Sequence, residues 1–278
     1  MPLQITMLSC SGILSMTHNS NPIGIFDSGI GGISIWKEIH QLLPNEHTIY
    51  LADSKNAPYG QKSKQEIINL CIKNTELLIE KGCKIIVVAC NTATTNAIKY
   101  LRANYDVPFI GIEPAIKPAA LQTKTKSIGI LATKGTLTSE LFYNTSELYS
   151  ENIKITEQIG KGLVELIESG KIESDDMTKL LREYLKPMLA NNIDYLVLGC
   201  SHYPFLIKQI EQLLPGDITI IDSGKAVATQ VRAVLKKTNF SNNDIIKPEN
   251  SYQFYTNTDK TVLTSFLKGG YVITELEF

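Results

Sequence analysis

Two cysteines in this chain are placed to do chemistry. Cys90 in VVACNTATT and Cys200 in VLGCSHYPF each close an apolar, β-branched run and are followed at once by small hydroxyl or amide side chains. A buried cysteine is ordinarily a small hydrophobe, and that reading suits Cys71 and Cys83, on or beside a predicted helix. The repeated setting of Cys90 and Cys200 reads differently. A helix start supplies unpaired N–H groups and positive potential, which lower a thiol pKa and hold a carboxylate. If two such thiols approach one cleft from opposite sides, one thiolate can take a proton from a carbon while the other thiol returns one to the opposite face. That is inversion of a stereocentre, and two faces need two acid–bases. Free cysteine titrates at about 8.5, so a modest downward shift brings it to working pH. The α-proton of an amino acid is far less acidic than a thiol. Such a site must therefore stabilise a carbanion with placed donors and exclude water, and Asn91, Thr92 and Ser201 suit the donor role.

The neighbouring motifs supply further candidates. Asp27 and Ser28 sit at a strand end in FDSGIGGIS, where Asp27 reads equally as a helix N-cap or as an acid–base partner. His202, two residues after Cys200, is either a satisfied loop histidine or the partner that exchanges a proton with that thiol. In NAPYGQKS, Tyr59 and Gly60 form a turn or offer backbone and phenol contacts to a ligand. A cysteine-protease reading leaves the second cysteine idle. Gly29 and Gly31 only partly match a dinucleotide fingerprint, since Ser34 stands where the third glycine belongs. These glycines read better as a turn that lets backbone approach a small anion. The chain has no GxxxxGK[ST], so triphosphate chemistry has little support.

The elements that must hold these residues alternate between short apolar runs and longer polar-faced stretches, the pattern of β/α units on a parallel sheet. Strands are expected at 23–26, 48–52, 85–89, 109–112, 127–131, 154–157, 195–198 and 218–221. A helix is expected over 64–82 from its apolar stripe, broken only by Asn74, and another over 175–191, interrupted near Pro187. IGIFDSGIGGIS echoes IGILATKGTLTS, and IIVVACNTATT echoes LVLGCSHYP, in the same order. This predicts two pseudo-symmetric α/β lobes, each a mainly parallel sheet flanked by helices, with the active site between them. The boundary falls in GIEPAIKP, where prolines suit a connection. The division is a first lobe of residues 22–113 and 225–278, a second lobe of 114–224, and an N-terminal extension of 1–21. Met16 offers an alternative start.

Composition narrows the class. The 278 residues carry 27 Lys and Arg against 28 Asp and Glu, so no basic face announces nucleic acid. No run of about 18 apolar residues spans a membrane, and the first positive residue is Lys37, too late for a secretory signal. Five scattered cysteines without a CxxC argue against both a disulfide framework and a metal site and point to a reducing, cytoplasmic setting.

The motifs GIFDSGIGG, YLADSKNAPYG, VVACNTAT, GIEPAIKPA, LATKGT, LGCSHYP and IDSG together resemble those of the glutamate racemases, in order, from Ile23 to about Gly224. The resemblance implies a cofactor-independent amino-acid racemase that makes D-glutamate for bacterial peptidoglycan. It implies that Cys90 and Cys200 are the catalytic thiols, Cys90 acting on D-glutamate and Cys200 on L-glutamate. It also implies that Asp27-Ser28, Tyr59-Gly60, Asn91-Thr92 and Ser201-His202 bind substrate, with Asp27 and His202 assisting catalysis. Glu168, in LVELIESG, matches an acidic family position near the second thiol. Ser201 departs from the threonine usual there and keeps its hydroxyl. Aspartate racemases also use two cysteines, but the DSGIGG and APYG blocks favour glutamate; a non-catalytic relative is the reading from another class. The sequence leaves the oligomeric state open, a homodimer included.

Overall fold

The computed structural model describes residues 20–241, 252–267 and 270–278. The extension, Cys10 and Met16 lie outside the described residues, apart from the last two positions of the extension. All eight expected strands form, their ends moved by two residues at most. The first five units run β1 (Ile23–Asp27), α1 (Ile33–Leu42), β2 (Thr48–Ala52), α2 (Lys64–Glu80), β3 (Ile85–Val88), α3 (Asn91–Asn104), β4 (Phe109–Gly111), α4 (Ile116–Gln122) and β5 (Ser127–Ala132). Then follow α5 (Lys134–Leu137), α6 (Glu140–Ser150), β6 (Lys154–Ile159), α7 (Leu163–Glu168), α8 (Asp175–Ala190), β7 (Tyr195–Gly199), α9 (Ile207–Leu213), β8 (Thr219–Ile221) and α10 (Gly224–Lys237). The chain closes with β9 (Tyr252–Thr256), α11 (Thr261–Phe266) and β10 (Ile273–Glu275).

The strands build two sheets with every pairing parallel, ordered β10-β9-β2-β1-β3-β4 and β6-β5-β7-β8. Both are covered by helices, so the central strands are apolar on both faces, as buried parallel strands must be. Alternation sorts the faces. Ile23, Ile25, Ile85 and Val87 join the core under α1 and α10, whereas Phe26, Ile86 and Val88 join the one under α2 and α3. The former core continues through Leu163, Ile167, Leu198 and Tyr203 into the second sheet, so one apolar cluster underlies both.

β9 and β10 are the strands the apolar patterning missed. YQFYT is aromatic rather than aliphatic, and only Phe254 and Thr256 are buried. It pairs with β2 from Thr48↔Tyr252 to Ala52↔Thr256 and so extends the first sheet.

Three local readings are refined. α2 starts at a capping box of Ser63 and Glu66, and its one polar break, Asn74, is fully buried, its amide donating to the Tyr59 hydroxyl at 3.1 Å. α8 is not interrupted at Pro187. The proline lies in the last turn, where it forfeits a single hydrogen bond, and Met188 beyond it is fully buried. The boundary connection is shorter than expected, because α4 begins at Ile116 and takes Pro118 into its first turn, where an N–H has no helical partner to lose.

Far from the strand ends that carry the cysteines, Lys84 Nζ meets Glu46 Oε2 at 2.6 Å, both side chains almost wholly buried. Removing one member takes away the opposite charge that the other faces at a buried position. Glu46→Ala should therefore lower stability by about 3–5 kcal/mol, read as a lower urea midpoint with an unchanged slope.

Candidate active site

Four candidate segments leave the carboxyl ends of their strands, where open α/β sheets bind ligands. Asp27 ends β1 and Cys90 follows β3 in the first sheet. Thr133 follows β5 and Cys200 follows β7 in the second. Between the two sheets lies a small cavity of about 10 Å³ lined by residues that include Ser28, Gly60, Cys90, Asn91, Thr92, Cys200, Ser201 and His202. It adjoins a larger hollow of about 350 Å³ with which it shares Pro58, Gly60, Thr133 and Val164. The two thiols, 5% and 6% exposed, thus reach one nearly closed space from opposite sheets.

Their surroundings differ despite the repeated motif. Cys90 is the N-cap of the 14-residue α3, its sulfur accepting the Ala93 N–H at 3.4 Å and lying 3.6 Å from Ser28 Oγ, to which the thiol donates. The expected depression of its pKa does not occur. Burial comes first and the charge of Asp27 second, and together they outweigh the two hydrogen bonds and push the Cys90 thiol well up. Cys200 leads instead into a 3-10 turn (Tyr203–Leu206) and has a side-chain partner, His202 Nδ1 at 3.8 Å. His202 Nε2 in turn meets Glu168 Oε1 at 2.5 Å. Burial alone would lower the pKa of His202; its bonds to Cys200 and Glu168 prevail and hold the imidazole well above its ordinary value.

Asp27 is not the N-cap of α1, which is Gly32, but it has partners on both sides of the gap. Its Oδ2 accepts the Gly32 N–H at 3.0 Å at the start of α1, and its Oδ1 accepts from Ser201 Oγ at 3.1 Å. Burial raises its pKa despite the positive charge of His202 and these two bonds.

Two expectations are corrected. The Tyr59 phenol does not face a ligand, because it donates to the fully buried Asp53 and accepts from Asn74. What this turn offers the cavity is backbone. The glycines of DSGIGG do admit an anion, but one that belongs to the protein. A Cβ at Gly29 would stand 1.9 Å from Glu168 Oε1, and one at Gly31 would stand 2.3 Å from His202 Nδ1. They make room for the relay behind Cys200. The Ser201 hydroxyl is also committed, to Asp27.

Asn91 stands at the cavity with its amide uncommitted. Its side chain is 2% exposed, and both amide atoms lack a partner among the described residues. A buried unpaired amide is costly, and this one lines the cavity. Thr92 shares hydrogen bonds with Thr133 at 2.7 Å and Thr136 at 3.2 Å across the sheets. Sequence reasoning missed Thr133 and also Ser54, whose hydroxyl donates to Glu168 Oε2 at 3.0 Å. Both stand inside quoted motifs, LATKGT and YLADSKNAPYG, yet a lone hydroxyl carries no signal of its partner. Among the described residues no cluster of His, Cys, Asp or Glu is arranged to hold a metal ion, and no helix is long and apolar enough to cross a membrane.

The family model Asp/Glu/Hydantoin racemase matches residues 23–231. A glutamate racemase of Ectopseudomonas mendocina is 44% identical over 221 residues, 79% of this chain and 84% of that one. The chain belongs to the glutamate racemases. Two solved glutamate racemases share its architecture. That of Francisella tularensis, in complex with D-glutamate, has a TM-score of 0.80 at 28% identity over 93% of this chain and 98% of its own. That of Escherichia coli, in complex with L-glutamate and the activator UDP-MurNAc-ala, has a TM-score of 0.80 at 30% identity over 92% and 98%.

In this racemase the raised Cys90 pKa has a direct consequence. A thiol pushed above its ordinary 9.0 is mostly protonated at neutral pH, and its thiolate fraction grows only in alkaline solution. In the substrate-free protein, alkylation of Cys90 by iodoacetamide, followed by peptide mass spectrometry, should keep accelerating as pH passes 9.0. A rate that levels off below that pH would show that the helix N-terminus outweighs burial.

Proposed function

We propose that this protein interconverts L- and D-glutamate by proton transfer between two thiols, without a cofactor, and that it supplies D-glutamate for peptidoglycan. The observation that carries the reading is the convergence of Cys90 and Cys200, from two different sheets, on one nearly closed cavity. Its family, and relatives solved with each enantiomer, support the choice of substrate.

In this reading the α-carbon lies between the sulfurs. L-Glutamate loses its α-proton to the Cys200 thiolate, and the Cys90 thiol gives one to the opposite face; D-glutamate runs the same steps in reverse. The proton balance closes, since each turnover moves one proton from substrate to one sulfur and one from the other sulfur to product. His202, held by Glu168, stands behind Cys200, and Asp27 stands near Cys90. The substrate ammonium, arriving in this dry space, offsets the negative charge of Asp27 and so lowers the cost of a Cys90 thiolate. Asn91, Thr92 and the Tyr59-Gly60 backbone bind the carboxylates, and exclusion of water strengthens each contact. The free thiols of Cys71, Cys83, Cys90 and Cys200 support a reducing, cytoplasmic setting.

Racemisation in heavy water, followed by α-deuterium incorporation, tests the mechanism. Cys90→Ala or Cys200→Ala should lower kcat/KM by roughly 10²–10⁴-fold or more, the usual worth of a general acid–base. The loss must be equal in both directions, because enantiomers have equal free energy. Each variant should keep at most slow exchange on its surviving face, from D-glutamate for Cys200→Ala and from L-glutamate for Cys90→Ala. Normal racemisation by either variant, or wild-type activity that returns after dialysis only with an added cofactor, would overturn the mechanism.

Asn91 has its own signature. Asn91→Ala should raise KM about tenfold or more, the scale of a hydrogen bond to a charged group, with a smaller effect on kcat. An unchanged KM would exclude the amide from substrate binding.

A further inference from the structure

Glu168 belongs to the second sheet's side of the gap, at the end of α7, yet only one of its three partners does. His202 Nε2 meets Oε1 at 2.5 Å from the same side. The Ile30 N–H, on the first side, donates to the same oxygen at 2.7 Å. Ser54 Oγ, in a 3-10 turn (Ser54–Asn56) just after β2, donates to Oε2 at 3.0 Å. Ile30 and Gly29 belong to one loop, and the absence of a side chain at Gly29 is what lets the carboxyl approach so closely. Of the two donors from the first side, the backbone amide is set by the fold, whereas the Ser54 hydroxyl is a choice of side chain.

We propose that Ser54 is a positioning residue for the Cys200 acid–base: its hydroxyl holds the Glu168 carboxyl against His202, so that the relay to Cys200 is complete only while the two sheets are closed on each other. This rests on the two-thiol reading above. The chain of contacts runs from Ser54 through Glu168 and His202 to the Cys200 sulfur, at 3.0, 2.5 and 3.8 Å. Each link fixes the next. A carboxyl with one oxygen anchored by Ser54 presents the other to the imidazole in a single orientation, and an imidazole held at Nε2 keeps Nδ1 on the sulfur. Without the Ser54 bond, Oε2 loses its only hydrogen-bond donor among the described side chains, and the carboxyl can rotate off His202. Cys90 has no such connection; its contacts are Ser28 and Ala93. The effect of Ser54 is therefore specific to one thiol of the two.

The test compares Ser54→Thr with Ser54→Val, side chains of equal shape that differ in the hydroxyl, and uses Ser54→Ala against wild type as a second comparison free of β-branching. Thermal unfolding checks that each variant is folded. In the full-length, substrate-free protein at one fixed pH, the alkylation rates of Cys200 and Cys90 by iodoacetamide are measured in the same sample, with Cys90 as the internal reference. The Cys200-to-Cys90 ratio should fall about threefold to tenfold in Ser54→Val and Ser54→Ala, the scale of one lost hydrogen bond, and Ser54→Thr should restore it to within about twofold. General loosening of the fold would expose both thiols and could not produce a drop in one that a hydroxyl rescues. Glutamate racemisation should fall with the ratio and recover in Ser54→Thr. An equal ratio in the Thr and Val variants, in a protein that still racemises glutamate, would overturn the role of Ser54 and leave the racemase reading intact. A Thr–Val difference in a protein that does not racemise glutamate would support the relay and sink that reading instead.

Discussion

Two carboxyl groups stand in the dry gap between the sheets, and burying such groups is expensive unless their oxygens find donors. Neither Asp27 nor Glu168 finds enough of them on its own side. Asp27, from the first sheet, takes Gly32 at home and Ser201 from across the gap. Glu168, from the second, takes His202 at home and Ile30 and Ser54 from across. Satisfying these acids and closing the cavity are therefore one event. The rest of the site follows: the bare glycines of DSGIGG give the crossing groups room, and the thiols are brought together by the same closure.

The two halves repeat a strand-and-cysteine unit, yet the thiols are not equivalent. Cys90 has helix α3 behind it and a buried acid beside it, and burial keeps its proton on. Cys200 has an imidazole that is itself held by a carboxyl. Two thiolates in one small cavity would repel, and the Cys200 sulfur adds to the cost of charging Cys90. The two-thiol reading proposed above asks different things of the two sulfurs in each direction, and a repeated backbone with unequal surroundings suits it.

Behind the visible lining stands a second layer of support. Asp53 accepts from Asn56, Tyr59 and Asn257, and Asn257 also accepts the Lys55 N–H. The turn whose backbone faces the cavity is thus tied to Asn257, the residue that follows β9. This gives the late strands a part in the site although neither contributes a residue to its lining.

Much of this was legible in the order of residues alone. Eight aliphatic strands, the long helices and the pairing of two cysteine motifs follow from periodicity and from repetition, which are properties of a linear chain. β9 was not legible, because an aromatic strand at the flank of a sheet buries too few residues to show a pattern. Nor was the direction of the Cys90 shift: a helix start can be read from sequence, but the burial and the acid that overrule it come from segments far away. The same holds for Tyr59, whose phenol turns to Asp53 and Asn74, and for Ser54, which gains meaning only opposite Glu168. Sequence determined which groups could do the chemistry, since that depends on residue type and local spacing. The tertiary structure decided their charge and their partners, because electrostatics in a buried gap depends on distances through space that no spacing along the chain encodes.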